Sequence, residues 1–224
     1  MRRKKRYKLE NPPQRVLKEI RKGHFRVAIF GSARIKRGDA LYKQVYELAR
    51  QIGAENIDVV TGGGPGLMEA ANRGHKAGSK DNQAHSFGLL IDIPDAQAIN
   101  KSLDVKKEFR RFTGRLDTFM ALSNVVVVAP GGIGTTLELF YTWQLIQVDK
   151  KSEIPVILLG KMWKELMKWV KKWQLKNEFM EAKDMNTIFL AKNNKQVMEI
   201  IKKAHADYLK GKTKYVKVSK KNKK

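Results

Sequence analysis

Short apolar runs alternate along this chain with stretches in which apolar side chains return every three or four positions. The runs at 25–30, 57–61, 87–93, 125–129 and 155–159 are rich in Val, Ile and Phe, and each stops at a glycine, a proline or both, as buried strands do. Between them Asp39 opens a helix whose Leu41, Val45, Leu48 and Ile52 recur at helical spacing and which ends at Gly53. Leu67, Met68, Ala70 and Ala71 open a second helix that runs to Gly74, the pattern over 103–122 predicts one long helix, and Leu139, Trp143 and Ile146 mark another. Met162, Trp163, Leu166, Met167, Trp169, Val170 and Trp173 give the next helix a bulky apolar face, suited to core packing or a subunit interface, and the interface is the preferred reading. A short run at 188–191 and a helix carrying Val197, Ile200 and Ile201 close the ordered part; ahead of it, Val16, Leu17 and Ile20 suggest a short helix ended by Gly23.

Strands that alternate with helices at this spacing pair in parallel through crossover helices. The expected fold is therefore α/β: an open, doubly wound, mainly parallel sheet with helices on both faces, Rossmann-like. Its organisation is a basic arm and short helix over 1–24, one nucleotide-binding catalytic domain over 25–210, and a lysine-rich tail over 211–224.

In such a sheet the ligand sits at the carboxyl ends of the strands, and the glycine turns at Gly31, Gly62 and Gly131 all follow strands. The last is the most informative. Pro130-Gly131-Gly132-Ile133-Gly134-Thr135-Thr136-Leu137-Glu138 joins a strand to a helix N-terminus, where free N–H groups, a partial positive charge and hydroxyls suit a phosphate. The phosphate is expected on Gly131, Gly132, Gly134 and Thr135, with Ser32, Gly63 and Gly64 closing the other side. Glu138 lies one helical turn in, where it either complements the helix N-terminus or faces the part of a nucleotide beyond its phosphate. The first turn lacks G-x-G-x-x-G and no turn carries the GK[ST] of a P-loop, so ordinary dinucleotide oxidoreductases and P-loop ATPases are disfavoured.

Charge adds a second theme. The formal net charge of +24 is concentrated in MRRKKRYK and KGKTKYVKVSKKNKK, which read as solvated arms able to make non-specific contact with nucleic acid or other anions. There are no cysteines, no apolar signal-peptide core after the basic start and no run long enough to span a bilayer, so a soluble, cytoplasmic protein without membrane contact is expected. His24, His75, His85 and His205 are scattered along the sequence and read as polar surface residues, and no metal or cofactor is expected.

GGGPGLM at 62–68, GLLIDIP at 88–94, the run from Asn100 through Asp104, Glu108 and Phe109 to Arg115, and PGGIGTTLE together resemble the Lonely Guy family of phosphoribohydrolases. These enzymes release the base from cytokinin nucleotides or AMP and are often mislabelled lysine decarboxylases. The resemblance covers about residues 25–172. It implies that Arg115 and Glu138 are the catalytic pair, that the substrate is a nucleoside 5'-monophosphate and that the chain is a homodimer or higher oligomer. Two positions depart from the family: Leu116 stands where lysine usually follows the arginine, and Asn124 where an acid is usual.

The chemistry implied is hydrolysis of an N-glycosidic bond through an oxocarbenium-like transition state. Glu138 would stabilise that cation, activate water, or both, while Arg115, which stays protonated, holds phosphate or ribose and orients Glu138, with Arg110 and Arg111 as helpers. A lysine decarboxylase would need a Schiff-base lysine and an acid for a pyridoxal ring nitrogen, and no lysine stands in such a setting. Two other classes use the same sheet and turns: a carrier of a nucleotide or pterin-type cofactor, and a nucleic-acid-binding protein.

Overall fold

The computed structural model describes residues 23–80, 83–92 and 98–211. Strands β1 (Arg26–Phe30), β2 (Asp58–Thr61), β3 (Ser86–Ile91), β4 (Val105–Phe109), β5 (Val125–Val128), β6 (Val156–Leu159) and β7 (Ile188–Ala191) form one sheet in the order β4-β3-β2-β1-β5-β6-β7. Every neighbouring pair in it is parallel. Helices α1 (Ala40–Ala54), α2 (Leu67–Gly78), α3 (Phe112–Leu122), α4 (Ile133–Gln147), α5 (Lys161–Val170) and α6 (Asn194–Leu209) cover it, so the fold is the doubly wound, Rossmann-like α/β arrangement expected.

Alternation along the strands divides the core in two. Val27 and Ile29 of β1 and Val125 and Val127 of β5 point to one face, where α1, α2 and α6 pack; Ala28, Phe30, Val126 and Val128 point to the other, under α3, α4 and α5. Central strands buried on both faces must be apolar throughout, and for that reason β5 reads as four consecutive valines. Asn124, at a departure from the Lonely Guy pattern, accepts the Arg26 N–H at 2.8 Å and ties β5 to β1; Leu116, at the other, is buried.

Several expectations need correction. The stretch 103–122 is not one helix: β4 takes its first part and α3 begins only at Phe112. VKKEF is an edge strand, half buried at alternate positions, and its two lysines blunt the free edge; neither glycine nor proline announces the break at Arg110-Arg111. Helix α1 ends at Ala54, beside the expected Gly53, but α2 runs past its expected end at Gly74 to Gly78. These glycines are points of close approach, since a Cβ on Gly74 or Gly78 would strike the Tyr46 or Arg50 carbonyl of α1, and one on Gly53 would lie 2.5 Å from the His75 carbonyl.

The bulky face of α5 is divided. Trp163, Met167 and Val170 are buried in the core, which corrects the interface reading for those residues, while Met162, Trp169 and, in the π-helical turn Lys171–Leu175 that follows α5, Trp173 remain exposed. His75 is no surface residue either: it is fully buried, its Nε2 lies 3.0 Å from the Ile57 carbonyl, and burial pushes its pKa down. The helix suggested by Val16, Leu17 and Ile20 and the lysine tail beyond Gly211 lie outside the described residues, and no described helix is long and apolar enough to cross a membrane.

Because α1 and α2 meet backbone to backbone, Gly78→Ala is expected to lower the unfolding free energy by about 1–3 kcal/mol, measured by urea denaturation.

Candidate functional site

The order of strands reverses between β1 and β5, and a crevice opens outside their carboxyl ends. The three glycine turns meet there. Ser32, after β1, donates its N–H to the Pro130 carbonyl after β5 at 3.1 Å, and its own carbonyl accepts the Leu67 N–H at the start of α2 at 2.9 Å. Gly66 makes the second contact feasible: its φ is +67° and a Cβ there would strike the Ser32 carbonyl.

The 62–66 turn is held from below by a buried polar network. Thr61 Oγ1 accepts the Gly63 N–H at 3.0 Å and donates to Asn72 Oδ1 at 2.7 Å. Asn72 Nδ2 donates to Ser86 Oγ at 2.6 Å, and Asn100 Nδ2 reaches both Asn72 Oδ1 at 2.9 Å and the Gly64 carbonyl at 3.0 Å. The Asn100 N–H donates to the Gly63 carbonyl at 3.0 Å. The Gly63 N–H and the carbonyls of Gly63 and Gly64 are thus occupied with internal bonds. None of Thr61, Asn72, Ser86 and Asn100 stood out as a site residue in the sequence; the signal available was a set of small polar residues at positions where the fold buries side chains.

Above this turn lie the two charged residues. Arg115, in the first turn of α3, and Glu138, past the first turn of α4, approach to 3.3 Å between Nη1 and Oε1, with side chains only 9% and 12% exposed. Arg115 Nε donates to the Leu89 carbonyl at 2.7 Å, its guanidinium carbon lies 5.1 Å from the Phe119 ring centroid, and Nη2 rests on Gly62, where a Cβ would displace it. The Tyr141 hydroxyl bonds Asp117 and links the same two helices.

Burial pushes the Glu138 carboxyl up to about 7 against the opposing pull of Arg115, and burial lowers the Arg115 pKa against the opposing pull of Glu138. A carboxylate poised near neutrality beside a fixed cation suits proton abstraction and stabilisation of developing positive charge.

Of the other expected site residues, Gly132 is the N-cap of α4, and the space where side chains of Gly132 and Gly134 would stand is open. Thr135 is buried with Oγ1 against Gly131, and Ser32 Oγ accepts the Arg34 N–H at 3.1 Å. Arg110 and Arg111 are exposed in the turn before α3. Lys151, whose amine burial pushes down to about 8, donates to the Met120 and Ser123 carbonyls at the opposite end of α3 from Arg115.

A family model described as "Possible lysine decarboxylase" matches residues 68–201. The pyrimidine/purine nucleotide 5'-monophosphate nucleosidase of Escherichia coli (strain K12) is 26% identical over 147 residues, 60% of this chain and 30% of that protein. The chain thus spans less than a third of the length of the curated relatives it matches. A molybdenum cofactor binding protein of Rippkaea orientalis superposes with a TM-score of 0.59 at 21% identity, covering 80% of this chain and 96% of that one. The molybdenum cofactor carrier protein of Chlamydomonas reinhardtii gives 0.60 at 21%, covering 82% and 99%. DNA processing protein A of Helicobacter pylori, whose structure concerns single-stranded DNA binding, gives 0.51 at 17%, covering 85% and 84%. These structural likenesses establish the fold.

Asn72→Ala removes a shared partner of Thr61, Ser86 and Asn100 and is expected to cost about 1–3 kcal/mol for each polar group left unpaired, measured by chemical denaturation.

Proposed function

The chain belongs to the family described as "Possible lysine decarboxylase", and on that footing we propose that it hydrolyses the N-glycosidic bond of nucleoside 5'-monophosphates of the AMP or cytokinin type. The observation that carries this reading is the buried Arg115–Glu138 pair, 3.3 Å apart, beside the N-terminus of α4. The nucleosidase relative and the Lonely Guy motifs support it.

In this reading the 5'-phosphate rests on the N–H groups of Gly131, Gly132 and Gly134 and beside Thr135, with Ser32 across the crevice, where the helix field favours an anion. Gly63 and Gly64 close the other side, with the Gly63 N–H held by Thr61 and the Gly64 carbonyl by Asn100. Water adds to C1' as the C1'–N bond breaks. Glu138 takes a proton from that water and stabilises the ribosyl cation, and the base leaves with the electron pair of the broken bond and takes up a proton. Arg115 holds Glu138 in the ionised state and orients it, keeping its own proton throughout.

A carrier is the second reading, favoured by the shared fold of the two molybdenum cofactor proteins. A nucleic-acid role would use the basic arms, which lie outside the described residues.

With a panel of nucleoside monophosphates, free base and ribose 5-phosphate are the expected products, and Glu138→Gln is expected to lower kcat by about 10²–10³-fold while circular dichroism stays unchanged. Stoichiometric nucleotide binding without base release would replace hydrolysis by carriage. Since the ionised form of Glu138 is the working one, kcat/KM should rise with pH to a plateau with an apparent pKa of about 7. Arg115→Ala removes the charge that opposes burial, so the same limb in its residual activity should move to higher pH; an unmoved limb would separate Arg115 from Glu138.

The apolar surface of Leu137, Phe140, Phe179 and Met180, which line one groove with Tyr141 and Gln144, is suited to a second copy. Ile133 and Phe179 are 87% and 79% exposed. Light scattering is expected to give at least twice the chain mass.

A further inference from the structure

At the opposite edge of the sheet from the crevice, three adjacent strands begin with side chains that converge. His24 precedes β1, Asp58 opens β2 and His85 precedes β3; in the sheet order β2 lies between the other two, so the carboxylate stands between the two imidazoles. His24 Nδ1 is 3.3 Å from Asp58 Oδ2, His85 Nδ1 is 3.9 Å from Asp58 Oδ1, and one donor atom from each residue falls within 4.8 Å of the others. We propose that His24, Asp58 and His85 bind a divalent transition-metal ion of the zinc type, leaving one coordination position to water.

Geometry supports this. In a tetrahedral site with bonds of about 2.0–2.1 Å, neighbouring donors stand about 3.3–3.4 Å apart. The His24–Asp58 edge already has that length, and the remaining edges need closure by about 1.5 Å or less, within reach of two half-exposed imidazoles turning about χ1 and χ2. Asp58 is the fixed member: it is buried, and Oδ1 accepts the His85 N–H at 2.8 Å. Two imidazoles and one carboxylate are a donor set for zinc and neighbouring first-row ions rather than for calcium or magnesium.

One feature opposes the ion. Arg26 Nε lies 3.3 Å from Asp58 Oδ2, and the same guanidinium donates to the His24 carbonyl at 3.3 Å. It orients the carboxylate as an outer partner of a ligand does, while its charge repels a dication. The neighbouring Asp104 carboxylate, which accepts the Ser86 N–H at 2.8 Å, returns negative charge to this edge. Affinity is therefore expected in the micromolar range rather than that of a closed structural site. The sequence conceals the cluster because its members are separated by 34 and 27 positions and become neighbours only through parallel pairing.

The test uses the full chain without a histidine tag, titrated with Zn²⁺ by calorimetry and with Co²⁺ by visible absorption, together with His24→Ala, His85→Ala and the double variant. Both substitutions remove half-exposed side chains and leave the Asp58–Arg26 pair intact, so the variants should fold; Asp58→Asn is avoided because it breaks a buried ion pair. One equivalent of Zn²⁺ is expected, with a Co²⁺ spectrum of low coordination number, a higher thermal midpoint with Zn²⁺, and ~100-fold or greater loss of affinity in each single variant. Absence of saturable binding up to millimolar Zn²⁺, or binding unchanged in the double variant, would overturn the proposal. Nucleotide hydrolysis is a separate readout, expected to be the same in the double variant as in the parent chain.

Discussion

The ligand-facing edge depends on β1 and β5 lying side by side while the helices that follow them leave in opposite directions. Four residue pairs, from Val27 with Val125 to Phe30 with Val128, set the register, and no polar side chain intervenes in them to permit a slip. From β1 the chain winds toward β2, β3 and β4, and from β5 toward β6 and β7. Right-handed crossovers then place α1 and α4 on opposite faces and leave the crevice uncovered. The bond from Ser32 to Pro130 closes its floor, and the bond from Leu67 to Ser32 brings the third glycine turn into the same place. An edge of three glycine turns, tied together by backbone hydrogen bonds, follows from that arrangement.

The Arg115–Glu138 pair is set into this frame at a cost. Taking two charges out of water opposes folding, and Coulomb attraction alone rarely repays it. The carboxyl responds by moving up to about 7, while the guanidinium spreads its contacts over the Leu89 carbonyl, the Phe119 face and the Gly62 backbone. An apolar pair of similar size would pack there without that penalty. A perturbed acid beside a charge partner, at the edge where ligands bind, is the pattern of a functional site.

Much of this was legible in sequence because it is local. Strand periodicity, the order of βα units and the PGGIGTTLE turn each occupy contiguous residues, and they led to the doubly wound sheet and its loaded edge. What failed was whatever depends on contacts across the fold. Gly74 reads as a helix end because nothing in one sequence reveals that a second helix backbone presses on it. β4 merges with α3 along the sequence because five residues with two lysines carry little strand signal until β3 is beside them. Trp163 and Trp169 looked alike along the chain, yet one faces the core and the other solvent. The Asn72–Asn100 network and the His24–Asp58–His85 cluster were invisible for the same reason.

Carriage and hydrolysis make opposite demands on an acid at this position. A carrier of an anionic ligand gains from the α4 N-terminus and the open glycines, but a carboxylate nearby repels the phosphate it holds. At about 8 Å and an effective dielectric of about 20, each unit of phosphate charge would cost roughly 2 kcal/mol, equivalent to raising the acid by about 1.5 pK units. A hydrolase must keep that acid ionised with the phosphate bound, and only a closer cation can do so. Arg115, 3.3 Å from Oε1 and fixed by three other contacts, is at less than half that distance, so its attraction, already at work in holding the acid down to about 7 against burial, offsets a large part of the combined penalty of burial and phosphate. A cation beside the acid therefore gains more for cleavage at the ribose, where a negative charge faces a developing cation, than for carriage, where the same acid only opposes the ligand.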